Sequence, residues 1–229
     1  MEMREMRKLI SYPLNEKDPG WPGNPKIEIA PYTLISQGNG SNQYQVTLFN
    51  HFGSHMDAPR HFVEEGKCIV HLSLDYFFFD SPLLLDIPKT YSQLVERSDL
   101  EAYQTEIERA DLLMIRSGFS KQRSEDPEGY SYRGPGFSSS AAQYLMDHFP
   151  HLRGIAMDWI SLSSYSHRKE GGLAHRYVLG DFHDHHMVII EDLNFEELNQ
   201  EKLSKVIALP VLIQGVDSGP CTVVAQMKA

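Results

Sequence analysis

The segment of residues 51–62 constrains this chain more than any other, because it holds three histidines and an aspartate. In extended backbone, side chains alternate between two faces. The odd-numbered polar side chains of the segment would therefore share one face: His51, His55, Asp57 and His61. A helix is disfavoured here, since the segment also contains a glycine and a proline. The sequence predicts an extended segment with four potential ligands or bases on one wall.

Two neutral imidazoles and a carboxylate form a ligand set that suits zinc, manganese or iron(II), and a carboxylate can bridge two ions. A single histidine in a strand more often packs in the core or faces solvent. Four such side chains on one face, with no lysine or arginine among them, favour a metal site. The spacing alone does not assign the role of the fourth side chain.

The pattern His-x-Gly-x-His-x-Asp-Ala-Pro-x-His-Phe resembles the defining motif of the metal-dependent cyclase family, which includes bacterial kynurenine formamidases and isatin hydrolases. Ser54 stands where the family usually has threonine, and it keeps the hydroxyl. The resemblance implies that His51, His55 and Asp57 bind metal and that Asp57 bridges to a second ion. It also implies that His61 is the general acid and base.

A second group of metal-binding side chains lies in the last third of the chain. Two short sequences there, around His175 and around Glu191, resemble further parts of the family pattern. The resemblance implies that His175 and Glu191 complete a two-metal centre, with Glu191 bridging both ions. The spacing between these two residues is longer than the family pattern leads us to expect, and the surplus is rich in histidine. These histidines could reach the cleft or form a loop, and their lack of periodicity favours the loop: His183, His185 and His186.

A loop rich in proline and glycine surrounds Trp21. The indole could anchor this loop or form an aromatic wall for a flat substrate. The sequence Trp-Pro-Gly-x-Pro resembles the N-terminal loop of the same family, whose tryptophan contacts substrate in the formamidases, and this resemblance favours the second interpretation. Phe52, Phe62 and a tyrosine-bearing loop at residues 121–136 are further candidates for contact with an aromatic substrate.

Apolar and alternating runs predict strands at residues 8–13, 26–35, 43–50, 81–87, 111–116, 154–158, 188–193, 203–214 and 222–226. The strand at 43–50 is expected to lead directly into the histidine segment. Helices are predicted at 98–109, with a capping box from Ser98 to Glu101, and at 138–148 and 195–202. Asp158 and Ser161 could support the site from behind or simply cap a turn. These elements predict one α/β domain over residues 1–229, with a curved mixed sheet and flanking helices. The swivelling β/β/α fold of the cyclase family agrees with it.

Composition limits the partners of the chain. With 41% hydrophobic and 23% charged residues it is typical of a soluble globular domain. Its net charge of −10 argues against nucleic acid and against an anionic membrane surface. The first eight residues carry both signs of charge and no secretory signal, and no run approaches the about 18 apolar residues of a membrane span. We expect a cytoplasmic protein, and the resemblance implies a homo-oligomer, dimeric or larger.

The residues predict a metal site, and the resemblance implies a metal-dependent, arylformamidase-like hydrolase of amide bonds that acts on N-formylkynurenine in tryptophan catabolism. The resemblance implies two zinc ions per chain, with manganese as the alternative, and a metal-activated water whose proton His61 moves. A cyclic amide such as isatin is the alternative substrate. A protein with a closed structural zinc site is an alternative of another class. A thiol hydrolase is a third, but neither Cys68 nor Cys221 lies in a recognisable nucleophile turn.

Overall fold

The computed structural model describes residues 6–228, so residues 1–5 of the predicted non-signal terminus and residue 229 lie outside it. The strands are β1 (Met6–Leu9), β2 (Glu28–Thr33), β3 (Gln43–Thr47), β4 (His55–Asp57), β5 (Phe78–Phe79), β6 (Pro82–Asp86), β7 (Leu94–Val95), β8 (Leu112–Arg116), β9 (Gly136–Phe137), β10 (Gly154–Met157), β11 (Val188–Glu191), β12 (Leu203–Pro210) and β13 (Ser218–Met227). The α-helices are α1 (Arg97–Glu101), α2 (Gln104–Ile107), α3 (Gln122–Glu125), α4 (Pro127–Tyr132), α5 (Ser139–His148) and α6 (Arg168–Val178). Within residues 6–228, no helix is long and apolar enough to cross a membrane.

The main sheet has the strand order β5-β12-β13-β4-β11-β10-β8-β6, and β1 pairs with β13. Strands β6, β8, β10 and β11 run parallel to one another, whereas β4, β13, β12 and β5 join the sheet by antiparallel pairs. Only Asp80 and Ser81 separate the two edge strands β5 and β6 in the chain, and β6 also contacts β12. The sheet therefore curls until it is nearly closed, which confirms the predicted curved mixed sheet.

Alternate residues of the parallel strands fill two hydrophobic cores. Leu113 and Ile155 belong to the core between the sheet and helices α5 and α6, whereas Met114 and Ala156 belong to the core inside the curved sheet. Strands buried on both faces are expected to be continuously apolar, as these are. Each fully buried aliphatic side chain stabilises the fold by about 1.5–3 kcal/mol. The two cores hold β4, β10 and β11 rigidly at the middle of the sheet.

The helix predicted at 138–148 is confirmed, and the hydroxyl of Ser138 accepts a hydrogen bond from the backbone of Ala141 at 3.2 Å. The helix predicted at 98–109 is instead broken into α1 and α2. Its capping box is formed by Glu96 and Asp99 rather than by Ser98 and Glu101. Asp99 also binds Lys89 at 2.6 Å, and this second contact favours the observed cap.

The helix predicted at 195–202 is wrong, because that segment consists of turns. The side chains of Asn194 and Asn199 accept hydrogen bonds from backbone amides two residues further along, at 3.0 and 2.9 Å. Such local side-chain bonds offer the backbone an alternative to helix. Conversely, the loop predicted at 121–136 contains α3 and α4. Asp126 caps α4, and Pro127 occupies its first turn.

Strands β2 and β3 pair as a separate antiparallel hairpin, which we call the hairpin arm. The arm confirms both predicted strands, but β3 ends at Thr47 and does not lead into β4. All residues of β3 are exposed, as are all those of β2 except Thr33. The arm therefore stands away from both hydrophobic cores.

Candidate active site

The candidate site is built on β4, which lies between β11 and β13. In these antiparallel pairs Glu191 is opposite His55, and Ser218 is opposite Asp57. The side chain of Met56 is buried in the core inside the sheet, so His55 and Asp57 face the other way. Helix α6 covers that face and brings His175 to it. Residues far apart in sequence thus meet around one short strand.

The backbone of the histidine segment differs from the prediction, because it is extended only in β4. Gly53 has a φ of +68°, and a Cβ at this position would clash with the side chain of Leu14, so the position requires glycine. His61 lies in the 3-10 turn Pro59–His61. The ring centroids of His51 and His61 nevertheless lie 4.1 Å apart. A turn and a 3-10 helix bring together the side chains that the prediction aligned on a strand.

The five residues predicted as metal ligands lie together, and we call them the five-residue cluster: His51, His55, Asp57, His175 and Glu191. Oδ1 of Asp57 lies 3.0 Å from Nδ1 of His51 and 3.4 Å from Nε2 of His55. The two oxygens of Glu191 lie 3.3 Å from Nε2 of His55 and 3.6 Å from Nε2 of His175. Three side chains of this region, His51, His55 and Asp57, offer ligand atoms that all lie within 4.8 Å of one another.

Asp57 provides the test of whether these residues fit a metal ion. Its side chain is 1% exposed, and neither carboxylate oxygen makes a hydrogen bond of good geometry within residues 6–228. Burial would raise the pKa of Asp57, but the nearby imidazoles of His61, His55 and His51 hold it below its usual value. A charged, buried carboxylate without a hydrogen bond is costly unless a cation compensates it. The residues present fit a divalent metal.

The neighbouring carboxylates also raise the pKa of two histidines of the site. Burial would lower the pKa of His51, yet its contacts with Asp217 and Asp57 raise it to about 10. Burial would likewise lower the pKa of His175, but Glu191 and Asp57 raise it. A site that stabilises positive charge on imidazole also attracts a metal cation, which competes with the proton for the same lone pair.

Backbone carbonyls orient two of the imidazoles. Nδ1 of His55 donates to the carbonyl oxygen of Gly53 at 2.8 Å, and Nδ1 of His175 donates to that of Gly171 at 2.8 Å. In the neutral rings this tautomer leaves a lone pair on each Nε2, and both Nε2 atoms lie close to the carboxylate of Glu191. Histidine ligands of metals are commonly held by such hydrogen bonds at the other ring nitrogen.

Glu191 is positioned by the segment that follows β10. Its Oε1 accepts hydrogen bonds from the amide of Leu162 at 2.7 Å and from the hydroxyl of Ser161 at 3.1 Å. Ser161 therefore contacts the site, as one interpretation of the sequence expected. Asp158 does not contact the site, because its carboxylate accepts hydrogen bonds from Ser117 and from the backbone amide of Gly118.

Asp217 is a site residue that the sequence interpretation missed. Its Oδ2 lies 2.8 Å from Nδ1 of His61 and 2.9 Å from Nε2 of His51, and its Oδ1 accepts from the side-chain amide (Nδ2) of Asn50 at 2.8 Å. Burial would raise its pKa, but the two histidines hold it below its usual value. Asp217 lies between the strands predicted at 203–214 and 222–226, where the sequence predicts no role for it. The sequence offered no signal for this role, because the contact depends on the pairing of β13 with β4.

A cavity of about 410 Å³ opens above the five-residue cluster. Trp21 lines it and packs edge-on against Tyr165, with 5.5 Å between ring centroids, so the indole both anchors its loop and forms part of the wall. Phe62 lines it as well and stacks on His175 at 4.6 Å. The prediction for Phe52 is wrong, because this ring is 1% exposed and does not line the cavity. Phe49 takes its place in the wall.

The histidine-rich surplus lies away from this cavity. His183 contacts Asp147 at 2.8 Å, and the ring of His186 stacks on Tyr76 at 4.9 Å. His185 contacts the carbonyl oxygen of Met146. The lining of the cavity includes none of these histidines, so the preference for a loop outside the cleft is confirmed.

The protein is an α/β protein with a nearly closed mixed sheet. It carries a potential metal site, a buried set of histidines and carboxylates beneath an aromatic cavity. The model of the Cyclase family, described as "Putative cyclase", matches residues 9–164. The chain belongs to this family.

Individual relatives agree with this assignment. An uncharacterized protein of Haemophilus influenzae is 38% identical over 108 residues, which cover 47% of this chain and 76% of the relative. A kynurenine formamidase of Bacillus cereus is 24% identical over 212 residues, or 92% of each chain. The structure of isatin hydrolase A from Labrenzia aggregata has a TM-score of 0.80 at 16% identity, covering 98% of this chain and 94% of that one. This structural likeness shows that the two proteins share a fold.

Proposed function

We propose that the chain is a metal-dependent hydrolase of amide bonds, of the arylformamidase type. The observation that carries the proposal is the buried, charged Asp57, whose oxygens lack hydrogen bonds among residues 6–228 while facing three imidazoles. The names of the Bacillus cereus and Labrenzia aggregata relatives support hydrolysis of a C–N bond.

The five-residue cluster would hold two metal ions, zinc or manganese, through three imidazoles and the carboxylates of Asp57 and Glu191. Metal ions bound there would polarise the scissile carbonyl and make water a better nucleophile at neutral pH. A structural zinc site closes every coordination position with protein ligands. This cluster instead lies at the base of an open cavity, which favours catalysis over a purely structural role.

His61 is the proposed general base and acid. Its Nδ1 donates to Asp217, which can only accept, so Nε2 of the neutral ring keeps its lone pair. Nε2 lies 4.0 Å from Oδ2 of Asp57, which is one of the proposed metal ligands. His61 would take the proton of the attacking water at Nε2 and return it to the leaving nitrogen. The carboxylate of Asp217 would stabilise the imidazolium between these two transfers.

The cavity wall supports a flat aromatic substrate. Trp21, Phe49 and Phe62 line the cavity above the cluster, and aromatic rings offer large apolar surfaces to another ring. N-formylkynurenine, an aromatic formamide, is the proposed substrate. Isatin, a neutral cyclic amide, is the second candidate, and the structural likeness to isatin hydrolase A is the observation that favours it.

The experiment follows hydrolysis of N-formyl-L-kynurenine and of isatin by the purified chain before chelation, after chelation, and after zinc or manganese is restored. We expect turnover that chelation abolishes and metal restores. His61→Gln should keep its metal but lose on the order of 100-fold or more in kcat, because it removes proton transfer alone. His71→Gln, an exposed histidine outside the cavity, is the matched control. Bound metal without turnover of either substrate would exclude the proposed activity, and chelator-resistant turnover lost in Cys221→Ser would favour a thiol mechanism.

We also propose that the chain forms a homo-oligomer through the hairpin arm. In the antiparallel register Ile29 pairs with Val46 and Pro31 with Tyr44, so one face of the arm is apolar. Ile29, Val46 and Tyr44 are exposed. A two-stranded hairpin is marginally stable alone in water, and a second copy of the chain would cover this face.

A cytoplasmic location stays a prediction of the sequence.

A further inference from the structure

Arg168 is the one lysine or arginine among the described residues that line the cavity. Its guanidinium has neither an ion pair nor a hydrogen bond with any residue of the 6–228 range. Its contact is with the ring of Tyr165, with 5.0 Å from Cζ to the ring centroid. The chain carries a net charge of −10, so an anionic ligand would be repelled by the molecule as a whole. The positive charge of Arg168 at the cavity would offset this repulsion for an anionic ligand that binds there.

Helix α6 carries both this cation and one histidine of the five-residue cluster. Arg168, Gly172 and His175 are spaced i, i+4 and i+7, so they lie on one helical face, and all three line the cavity. Seven residues of helix rise by about 10.5 Å. The backbone of Arg168 is therefore about two helical turns from that of His175 along the cavity wall.

The space between Arg168 and His175 is left open by Gly172. A Cβ added to Gly172 would meet only Phe62, at 3.8 Å, which is an ordinary contact. The neighbouring Gly171 is different, because its Cβ would clash with Ser163. Gly171 is therefore needed for packing of α6, whereas Gly172 leaves room along the cavity wall.

Aromatic rings hold the guanidinium in place. The ring of Tyr165 contacts Arg168 and also packs in a T-shaped arrangement with Trp21, at 5.5 Å between ring centroids. A guanidinium stacked on an aromatic ring keeps its N–H groups free, and their planar fork matches a carboxylate. The guanidinium of Arg168 thus adjoins the aromatic part of the cavity wall through Tyr165.

We propose that Arg168 binds a carboxylate at the end of the substrate remote from the scissile amide. The substrate class is an aromatic N-formyl amine whose side chain carries a carboxylate several bonds from the ring. This assignment rests on the proposed function for the reaction, and it selects between the two candidate substrates. A neutral cyclic amide has no carboxylate for Arg168 to bind.

Binding tests the inference without relying on turnover. Titration calorimetry on the metal-loaded protein compares L-kynurenine with 2-aminoacetophenone, which keeps the aromatic amine but lacks the amino-acid side chain. We expect Arg168→Gln to weaken the binding of L-kynurenine by about 10-fold, as loss of a charged hydrogen bond predicts. The affinity for 2-aminoacetophenone should stay within about twofold of the wild-type value. Arg168→Lys should recover part of the loss. Lys169→Gln removes the same charge one residue further along, outside the cavity lining, and should change neither affinity.

Turnover separates this inference from the proposed function. For N-formyl-L-kynurenine, Arg168→Gln should raise KM by about 10-fold with kcat little changed, and hydrolysis of 2-formamidoacetophenone should be unaffected. If the wild-type chain hydrolyses neither compound yet binds L-kynurenine in an Arg168-dependent way, the proposed function fails and the carboxylate site stands. Equal losses for both ligands, no loss for either, or no binding of L-kynurenine by the wild type would overturn the inference.

Discussion

Nδ1 of His61 lies 2.8 Å from Oδ2 of Asp217, although 156 residues separate the two in the chain. The contact arises because Asp217 directly precedes β13, which pairs with β4. The amide of Ala58 also donates to the carbonyl oxygen of Asp217 at 2.9 Å, which fixes the two segments to each other. The sheet register therefore sets the tautomer of the proposed general base.

Replacement of Asp217 tests this relationship. Asp217→Asn should lower kcat by on the order of 100-fold or more, because an amide NH₂ facing Nδ1 favours the wrong tautomer and no longer stabilises the imidazolium. Steady-state kinetics measure the loss, and circular dichroism should show an unchanged fold. Asp80→Asn, at an exposed surface ion pair with Lys205, is the matched control. A kcat within about twofold of wild type would remove Asp217 from the mechanism.

A buried ion pair secures the residue that follows Glu191. Asp192 has a φ of +56°, and its carboxylate accepts from Arg123 at 3.0 Å and from the hydroxyl of Tyr130 at 2.7 Å. Arg123→Ala should lower the free energy of unfolding by about 3–5 kcal/mol, because it leaves a buried carboxylate without its cation. Denaturant unfolding measures this change.

The control for that experiment is Arg97→Ala. Arg97 pairs with Glu101 at 2.7 Å, but both side chains are about half exposed, so the expected loss is about 0.5 kcal/mol. If the two variants lost similar amounts of stability, the ion pair with Asp192 would have no special role beneath the site.

The hairpin arm gives a prediction about assembly. Val46→Glu places a charge on the apolar face of the arm and should convert an oligomer into monomers, because the charge would be buried at the interface. Gln45→Glu adds a charge on the opposite face and should leave the oligomer intact. Light scattering coupled to size exclusion measures the molar mass. A monomeric wild-type chain, or dissociation by both variants alike, would contradict an interface at this face.

The sequence could predict the parts of the site that depend on local spacing. His55 and Asp57 alternate on β4 as a strand requires, with Met56 turned into the core. The positions of His175 and Glu191 followed from family resemblance, since no spacing rule links a helix to a strand across the sheet. The backbone on either side of β4 could not be predicted, because the left-handed turn at Gly53 depends on packing against Leu14.

Contacts between residues that are distant in sequence could not be predicted either, because they depend on how the chain packs. The role of Asp217 depends on which strands become neighbours, and a turn-rich sequence says nothing about its partner. The choice between Phe49 and Phe52 depends on how the chain turns before β4, because period-two alternation does not hold outside the strand. The segment 195–202 was misinterpreted because two asparagine side chains bind its backbone amides and favour turns.

The most direct test of the central claim is the metal content of the purified chain by elemental analysis, for the wild type and for Asp57→Asn. Asp75→Asn, an exposed position outside the cavity lining, is the control. We predict about two metal ions per chain for the wild type and the control, as a two-metal hydrolase requires. Asp57→Asn should lose most of this metal, because it removes a buried negative charge from the proposed ligand set. A wild-type chain that binds no metal, even after zinc and manganese are supplied, would contradict the account.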